Sequence, residues 1–244
     1  MAEQTQAPRG VALVTGATSG IGRAVALKLA GDGFDVIVHG RNAERGAETV
    51  RAIEDAGGHA RFAAADLADA DDVSQLAKTA GDVDVLVNNG GFSWFGPTAD
   101  LDPAAFDELF ASNVRSAYQL VGAIAPGMAS RGHGSIVSLD SMAGHVGLNG
   151  GAAYGATKAA LSALSRSWAA EFSPAGVRVN TVAPGPVYTD GASTDRIDQL
   201  GKTTLMGRAA QVEEIAEVIA FVASEKASYV TGAVIPVDGG RTAI

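Results

Sequence analysis

Short apolar runs alternate with stretches whose apolar residues recur every three or four positions, and the alternation continues along almost the whole chain. Val11-Ala12-Leu13-Val14 is a continuous apolar run, as expected of a strand covered on both faces. Ile21, Val25 and Leu29, with Ala24 and Leu27 beside them, then follow at helical spacing. Further strands are expected at 34–38, 59–64, 83–87, 134–139, 177–181 and 233–237, and helices over 42–56, 70–80, 102–128, 151–172 and 212–224. The helix from 102 opens on Asp102-Pro103, a capping residue followed by a proline in the first turn. The helix over 151–172 has the clearest stripe, made of Thr157, Leu161, Leu164, Trp168 and Phe172, and Ser173-Pro174-Ala175-Gly176 ends it. From Pro184 to Met206 the period fades into glycine, threonine and aspartate, which predicts a mobile loop holding a short helix.

Strand-then-helix repeated over the whole length predicts an α/β fold: a doubly wound, Rossmann-type, mainly parallel sheet of about seven strands with helices on both faces. Residues 10–244 are read as one domain, and residues 1–9 as a flexible tail. In such sheets ligands bind beyond the carboxyl ends of the strands. Those ends carry Gly16 to Gly22, Asp66, Asn88 to Gly91, Ser141 and Pro184-Gly185, so the distinctive residues converge on one edge.

The 244-residue chain is 47% hydrophobic and 18% charged, with 31 glycines, as suits short loops and helices packed closely on a sheet. A net charge of −9 with no basic cluster argues against nucleic acid or an anionic membrane as partner. The absence of cysteine excludes disulfides, thiolate metal sites and a cysteine nucleophile; no metal is expected. Met1 to Gly10 lacks an apolar core, and no apolar run reaches the ~20 residues of a membrane span, so the expected location is cytoplasmic.

Two groups of residues suggest chemistry. The turn Gly16-x-x-x-Gly20-x-Gly22 joins the first strand to the first helix and is a variant of the G-x-G-x-x-G dinucleotide fingerprint. Taken alone, it is either a pyrophosphate cradle at a helix N-terminus or a glycine turn that merely links two elements. Tyr154 and Lys158 lie four apart on the strongest helix and share a face, so a nearby ammonium would lower the phenol pKa from about 10 and suit Tyr154 to general acid/base work. Ser141, at the end of the fifth strand, would hydrogen-bond the same substrate oxygen. In isolation such a pair is an ordinary helix-surface pair; the fold and the serine change that reading.

Together, Thr15-Gly16-Ala17-Thr18-Ser19-Gly20-Ile21-Gly22, Asn88-Asn89-Gly90-Gly91, Asn113, Ser141, Tyr154-Gly155-Ala156-Thr157-Lys158, Pro184-Gly185 and Val237-Asp238-Gly239-Gly240 resemble the motifs of the short-chain dehydrogenase/reductase family, in order and over nearly the whole chain. The resemblance is general to 3-oxoacyl-carrier-protein reductase-like members. It implies an oxidoreductase that moves a hydride between a nicotinamide cofactor and a ketone or secondary alcohol. Tyr154 would be the general acid/base, Ser141 would orient the carbonyl or hydroxyl, Lys158 would bind the nicotinamide ribose and depress the tyrosine pKa, and Asn113 would hold a water in a proton relay. The turn from Gly16 through Thr18, Ser19, Gly20 and Ile21 to Gly22 would seat the pyrophosphate. Asp66 and Leu67 would flank the adenine, Asn88 and Gly90 would contact the adenosine side, Val187 and Thr189 would meet the carboxamide and phosphates, and Pro184 and Gly185 would also belong to the cofactor site. The family also implies a homotetramer, or a homodimer, formed through the long helices and the last strand.

Two departures stand out. Gly90 replaces the alanine common in the family, which should loosen that turn. Asp140 precedes Ser141 where a small neutral residue is usual, and it is expected to point outward into solvent. After the second strand the chain reads His39-Gly40-Arg41-Asn42, with an arginine and no carboxylate, so NADP is expected over NAD, although Ser19 supplies no second basic signal.

Phe92, Trp94 and Phe95, then His145, Val146 and Asn149, and the loop from Tyr188 are expected to wall the substrate, with Trp94 and Phe95 alternatively core residues. Asp190, Asp195 and Asp198 against Arg196 and Lys202 give that loop no strong pull on an anionic carrier-bound chain, so a neutral ketone, keto-ester or polyol is weighed beside a 3-oxoacyl thioester. The alternatives are a catalytically silent NADP-binding sensor or scaffold, against which Ser141, Tyr154 and Lys158 speak, and a nucleotide-sugar epimerase, for which the chain leaves no extra substrate domain.

Overall fold

The computed structural model describes residues 9–190 and 193–243. The tail expected over 1–9 lies outside the described residues except for Arg9, whose N–H donates to Gly33 O at 2.9 Å. Seven parallel strands are ordered β3-β2-β1-β4-β5-β6-β7. They are β1 (Val11–Val14), β2 (Asp35–Gly40), β3 (His59–Ala64), β4 (Val85–Asn88), β5 (Gly134–Leu139), β6 (Val177–Pro184) and β7 (Val234–Val237). The helices between them are α1 (Gly20–Gly31), α2 (Ala43–Asp55), α3 (Ala70–Ala80), α4 (Pro103–Phe110), α5 (Ser116–Arg131), α6 (Ala152–Phe172), α7 (Thr194–Gly201) and α8 (Val212–Ala223).

Alternate strand residues feed two apolar layers, which is what buries both faces of the sheet. Leu13, Ile37, Leu86, Ile136 and Val179 pack with Leu120 and Met128 of α5 and Trp168 of α6. Val14, Val38, Val87, Val137 and Val182 pack with Val25 and Leu29 of α1 and with Ile215 and Ile219 of α8. The strand order reverses between β1 and β4, so the ends of these two central strands flank the crevice where doubly wound sheets take their ligands. Pro236 sits in the edge strand β7, where its missing N–H costs no ladder bond on the outer side. Among the described residues, no helix is long and apolar enough to cross a membrane, and no group of three acidic or histidine side chains is placed to hold a metal ion.

The elements depart from the sequence pattern most clearly at two places, and agree with it at a third. The helix expected over 102–128 is two helices, α4 and α5, joined by a π-turn at Ala111–Arg115. Its apolar period carries no break there. The cause is a tertiary contact, because the side chain of Asn113 bonds both backbone groups of Phe92. β6 runs on to Pro184, three residues past the expected end, because β7 pairs alongside it as far as Val237. The long loop after β6 does contain a short helix, α7.

Candidate active site

Gly16 and Gly20 have φ of +65° and +51°, the left-handed region in which a side chain is strained, so the turn out of β1 needs glycine at both. Gly22 is required for a different reason. A Cβ there would lie 2.2 Å from Gly16 O, so only glycine lets α1 press on the turn that precedes it. Ser19 precedes α1 without capping it through its side chain, and no acidic residue occupies the first turn. The free N–H groups and the positive end of the helix dipole are therefore available to an anion.

The turn is held by residues outside the expected site. Thr15 Oγ1 accepts from the N–H groups of Asn89 and Gly90 at 3.0 and 2.8 Å, and Asn89 Nδ2 donates to Thr15 O and Gly16 O. Gly16 N–H donates to His39 Nδ1 at 3.2 Å, while His39 Nε2 lies 3.2 Å from Ala65 O, which assigns the ring proton to Nε2. Burial pushes His39 down to about 4, so the imidazole stays neutral and keeps that acceptor. A lone polar residue at the end of an otherwise apolar strand was the available signal for Thr15 and His39.

Around this turn stand the other expected cofactor residues. Asn88 is buried, and both atoms of its amide lack a partner. Buried polar atoms rarely go unsatisfied, and this amide, at the end of a central strand, is free to meet a ligand's polar groups. Thr189 faces Gly20, since a Cβ on that glycine would meet Thr189 Cγ2 at 3.4 Å. Thr18 packs over Gly40, Ile21 is half-buried at the start of α1, and Val187 is buried where it bridges to Ala210. Pro184 closes β6, and Gly185 N–H donates to Val237 O. Arg41 Nη1 lies 3.9 Å from Asp66 Oδ2, with both side chains largely exposed at the ends of β2 and β3. Leu67 is buried, and its Cδ1 would lie 2.4 Å from a Cβ on Gly90. Leu67 thus fills the space of the family's alanine methyl, and the turn is packed, not loosened. Paired glycines, free helix N–H groups and an unpartnered buried amide at one strand edge fit a nicotinamide dinucleotide.

Ser141, Tyr154, Lys158 and Asn113 are brought together at the ends of β5 and β4. Lys158 Nζ is 5.8 Å from the centre of the Tyr154 ring and donates to Leu139 O at 2.6 Å. The expected lowering of the tyrosine does not occur. Burial pushes the Tyr154 phenol up to about 12; the Ser141 hydroxyl pulls the other way, and Asp140 adds to the rise. Lys158 is itself lowered by burial to about 8, against the pull of the neighbouring Asp140, and its Nζ donates to a backbone carbonyl. Asn113 does not hold its amide free for a water. Its Oδ1 accepts from Phe92 N, and its Nδ2 donates to Phe92 O and Thr157 Oγ1. It ties the chain after β4 to α6.

Asp140 is the clearest correction. It is 3% exposed rather than solvated. Its Oδ1 accepts from Ser141 N–H at 2.7 Å, and its Oδ2 accepts from Ser162 Oγ at 2.5 Å and from His145 Nε2 at 2.6 Å. Its outward orientation was expected from its charge alone; the partners that make burial feasible lie 5 and 22 positions on, beyond any local pattern.

At the mouth, Phe95 packs against Tyr154 with ring centres 5.5 Å apart, and Arg196 of α7 lies over the Phe95 ring, 4.9 Å from its centre. Trp94 is half-buried and lies against Gly96 instead. His145 is turned toward Asp140, Val146 is half-buried and Asn149 is exposed. Tyr188 spends its hydroxyl on Asp198 of α7 at 2.5 Å.

Residues 16–242 match the family described as Enoyl-(Acyl carrier protein) reductase. The chain is 39% identical to a cis-4-hydroxycyclohexanecarboxylate dehydrogenase of Sinomonas cyclohexanicum, with 96% of this chain and 97% of that one covered. Among solved structures, a short chain dehydrogenase/reductase family protein superposes with a TM-score of 0.90 at 49% identity, covering 98% of this chain and 99% of that one. A 3-oxoacyl (acyl-carrier-protein) reductase from Agrobacterium tumefaciens C58 with NADP bound gives 0.92 at 34% identity, covering 97% and 95%.

Proposed function

The chain belongs to the short-chain dehydrogenase/reductase family and is a nicotinamide-dependent oxidoreductase acting between a ketone and a secondary alcohol, and from that premise we propose which residues do the work and with which coenzyme. Tyr154 is the proton donor to the carbonyl oxygen, Ser141 the second hydrogen-bond donor to it, and Lys158 the cation that binds the nicotinamide ribose. The observation that carries this reading is the convergence of Ser141, Tyr154 and Lys158 beside a glycine turn that fits a pyrophosphate.

Bound there, the nicotinamide supplies or takes the hydride. The protein's part is to manage the oxygen. As negative charge grows on the carbonyl oxygen, the phenol and the serine hydroxyl stabilise it, and the phenol proton passes across. A phenol pushed up to about 12 keeps its proton throughout the neutral range, so the site is set for reduction near neutrality, and oxidation awaits higher pH. Phe95 packs against the Tyr154 ring, where it would flank an incoming carbonyl.

The coenzyme is NADPH. Arg41 at the end of β2 supports this, in the position where an arginine accommodates a 2′-phosphate, together with the absence of a carboxylate on the same turn. The substrate is a small ketone; a 3-oxoacyl thioester is the second reading, favoured by the name of the relative with NADP bound. The assembly is a homotetramer. The test is coenzyme oxidation with a panel of cyclic ketones, keto acids, keto-esters and 3-oxoacyl thioesters. Tyr154→Phe is expected to lower kcat by roughly 10²–10⁴-fold, the usual worth of a positioned proton donor, with coenzyme affinity kept. Tight coenzyme binding with no turnover of any carbonyl would overturn the assignment.

A further inference from the structure

Asp140 is used by none of the steps above, yet it is the most enclosed acid in the site. Its side chain has no exposed surface. Three groups converge on it, Ser141 N–H, Ser162 Oγ and His145 Nε2, all within 2.7 Å, with the imidazole as donor when Nε2 carries the ring proton. A carboxylate can accept from all three, and each comes from a different piece of the site: Ser141 itself, the turn after it, and α6, which carries Tyr154 and Lys158. Gly144 lets this happen. A Cβ there would lie 2.7 Å from Asp140 Oδ1 and 2.9 Å from Ala159 N, so the turn from 141 to 145 can lie down between the carboxylate and α6 only without a side chain at that position.

We propose that Asp140 is a positioning residue for proton transfer: a buried carboxylate that clamps the Ser141 turn to α6 and sets the electrostatic potential felt by both Tyr154 and Lys158. It touches neither substrate nor coenzyme. The proposal rests on the reading of Tyr154 as proton donor. The charged groups shown beside Tyr154 are Lys158 on its own helix and Asp140 at the end of β5; His145 reaches Asp140, and Arg196 of α7 reaches Phe95, which packs on the Tyr154 ring. Of these, Asp140 is the one that acts in the same direction on the phenol and on the ammonium, raising both. Alcohol oxidation needs the phenolate and the ammonium together; with the ammonium at about 8 and the phenol at about 12, that state plateaus between the two, so the acid limb falls at the Lys158 midpoint and the alkaline limb at the Tyr154 midpoint. Removing the Asp140 charge should therefore translate the whole profile toward acid. Loosening of the fold would lower the rate without moving both limbs together.

The experiment compares kcat for alcohol oxidation against pH in the wild type, Asp140→Asn, Asp140→Ser and Ser162→Ala. Phenol ionisation is also read without turnover, as the ultraviolet difference between each protein and the same protein carrying Tyr154→Phe. Asp140→Asn and Asp140→Ser are expected to move both limbs, and the directly read phenol, down by roughly half to one pH unit, the range for one charge several ångströms away under partial screening. Ser162→Ala keeps the charge and should leave the midpoints in place. Coenzyme binding by fluorescence serves as the folding control, and the smaller serine covers the case in which asparagine does not pack. Unchanged midpoints in an Asp140 variant that binds coenzyme normally would overturn the proposal. Full activity in Tyr154→Phe would instead overturn the reading on which it rests.

Discussion

Arg41 is the residue on which the choice of coenzyme turns, and its surroundings say how strongly. Its side chain is 70% exposed, and its nearest acid, Asp66 at 3.9 Å, is itself 45% exposed. An ion pair that open contributes little, so the guanidinium is available at almost no cost for a phosphate, to which it would make charge-assisted bonds of about 1.5–3 kcal/mol. Arg41→Asp removes those bonds and puts a like charge beside the 2′-phosphate. The expected outcome is a KM for NADPH raised by roughly 10–100-fold with that for NADH changed by less than about threefold, read from steady-state rates with both coenzymes. Equal effects on the two would sink the NADPH assignment. The residue stands one position past β2, so the sequence alone could place it; what the sequence could not provide was Asp66 opposite it, which β3 brings alongside.

Elements were readable in proportion to how locally they are determined. α3 and β5 have the bounds that apolar spacing predicts, and the α6 stripe is buried at Thr157, Leu161 and Trp168, because one face of each meets the sheet. The π-turn at Ala111–Arg115 and the burial of Asp140 were not readable, since each depends on a side chain reaching a distant partner: Asn113 to Phe92 and Thr157, Asp140 to His145 and Ser162. α7 lies between these cases. Its existence was foreseen, but not that it would carry Arg196 onto Phe95, and so within roughly 10 Å of the Tyr154 ring. Arg196 makes no ion pair among the described residues, although Asp195 and Asp198 share its helix. A cation held over the ring that borders the proton donor favours ketones bearing a carboxylate, against the balance of charge read from the loop as a whole. Arg196→Ala should therefore raise KM for keto acids by about tenfold and leave that for neutral ketones within about twofold, the worth of one exposed charge-assisted contact. Parallel losses on both classes would show that α7 only closes over the site.

Exposed aromatic side chains on α5, on α8 and before β7 bear on what the whole molecule should do. Tyr118 of α5 is 57% exposed beside Trp168 of α6, with ring centres 6.2 Å apart, while Phe221 of α8 is 48% exposed and Tyr229, just before β7, is fully exposed. Exposed aromatics gathered on a face usually mark an interface, and two self-complementary patches are what a tetramer with three perpendicular two-fold axes needs. With a net charge of −9, copies attract one another only where such patches outweigh repulsion, so the assembly should tighten as salt screens the charge. Light scattering after gel filtration is expected to give four chains for the wild type, two for Tyr118→Glu, and one when Phe221→Glu is added. The α5 patch has a further consequence, because α5 continues from the π-turn of Asn113 and packs beside α6, which carries Tyr154 and Lys158. Dimers of Tyr118→Glu should bind coenzyme with unchanged affinity, since the glycine turn lies across the sheet on α1, but turn over severalfold more slowly. A monomeric wild type, or a Tyr118→Glu tetramer with normal mass, would remove the α5 patch as an interface and leave those aromatics to another partner.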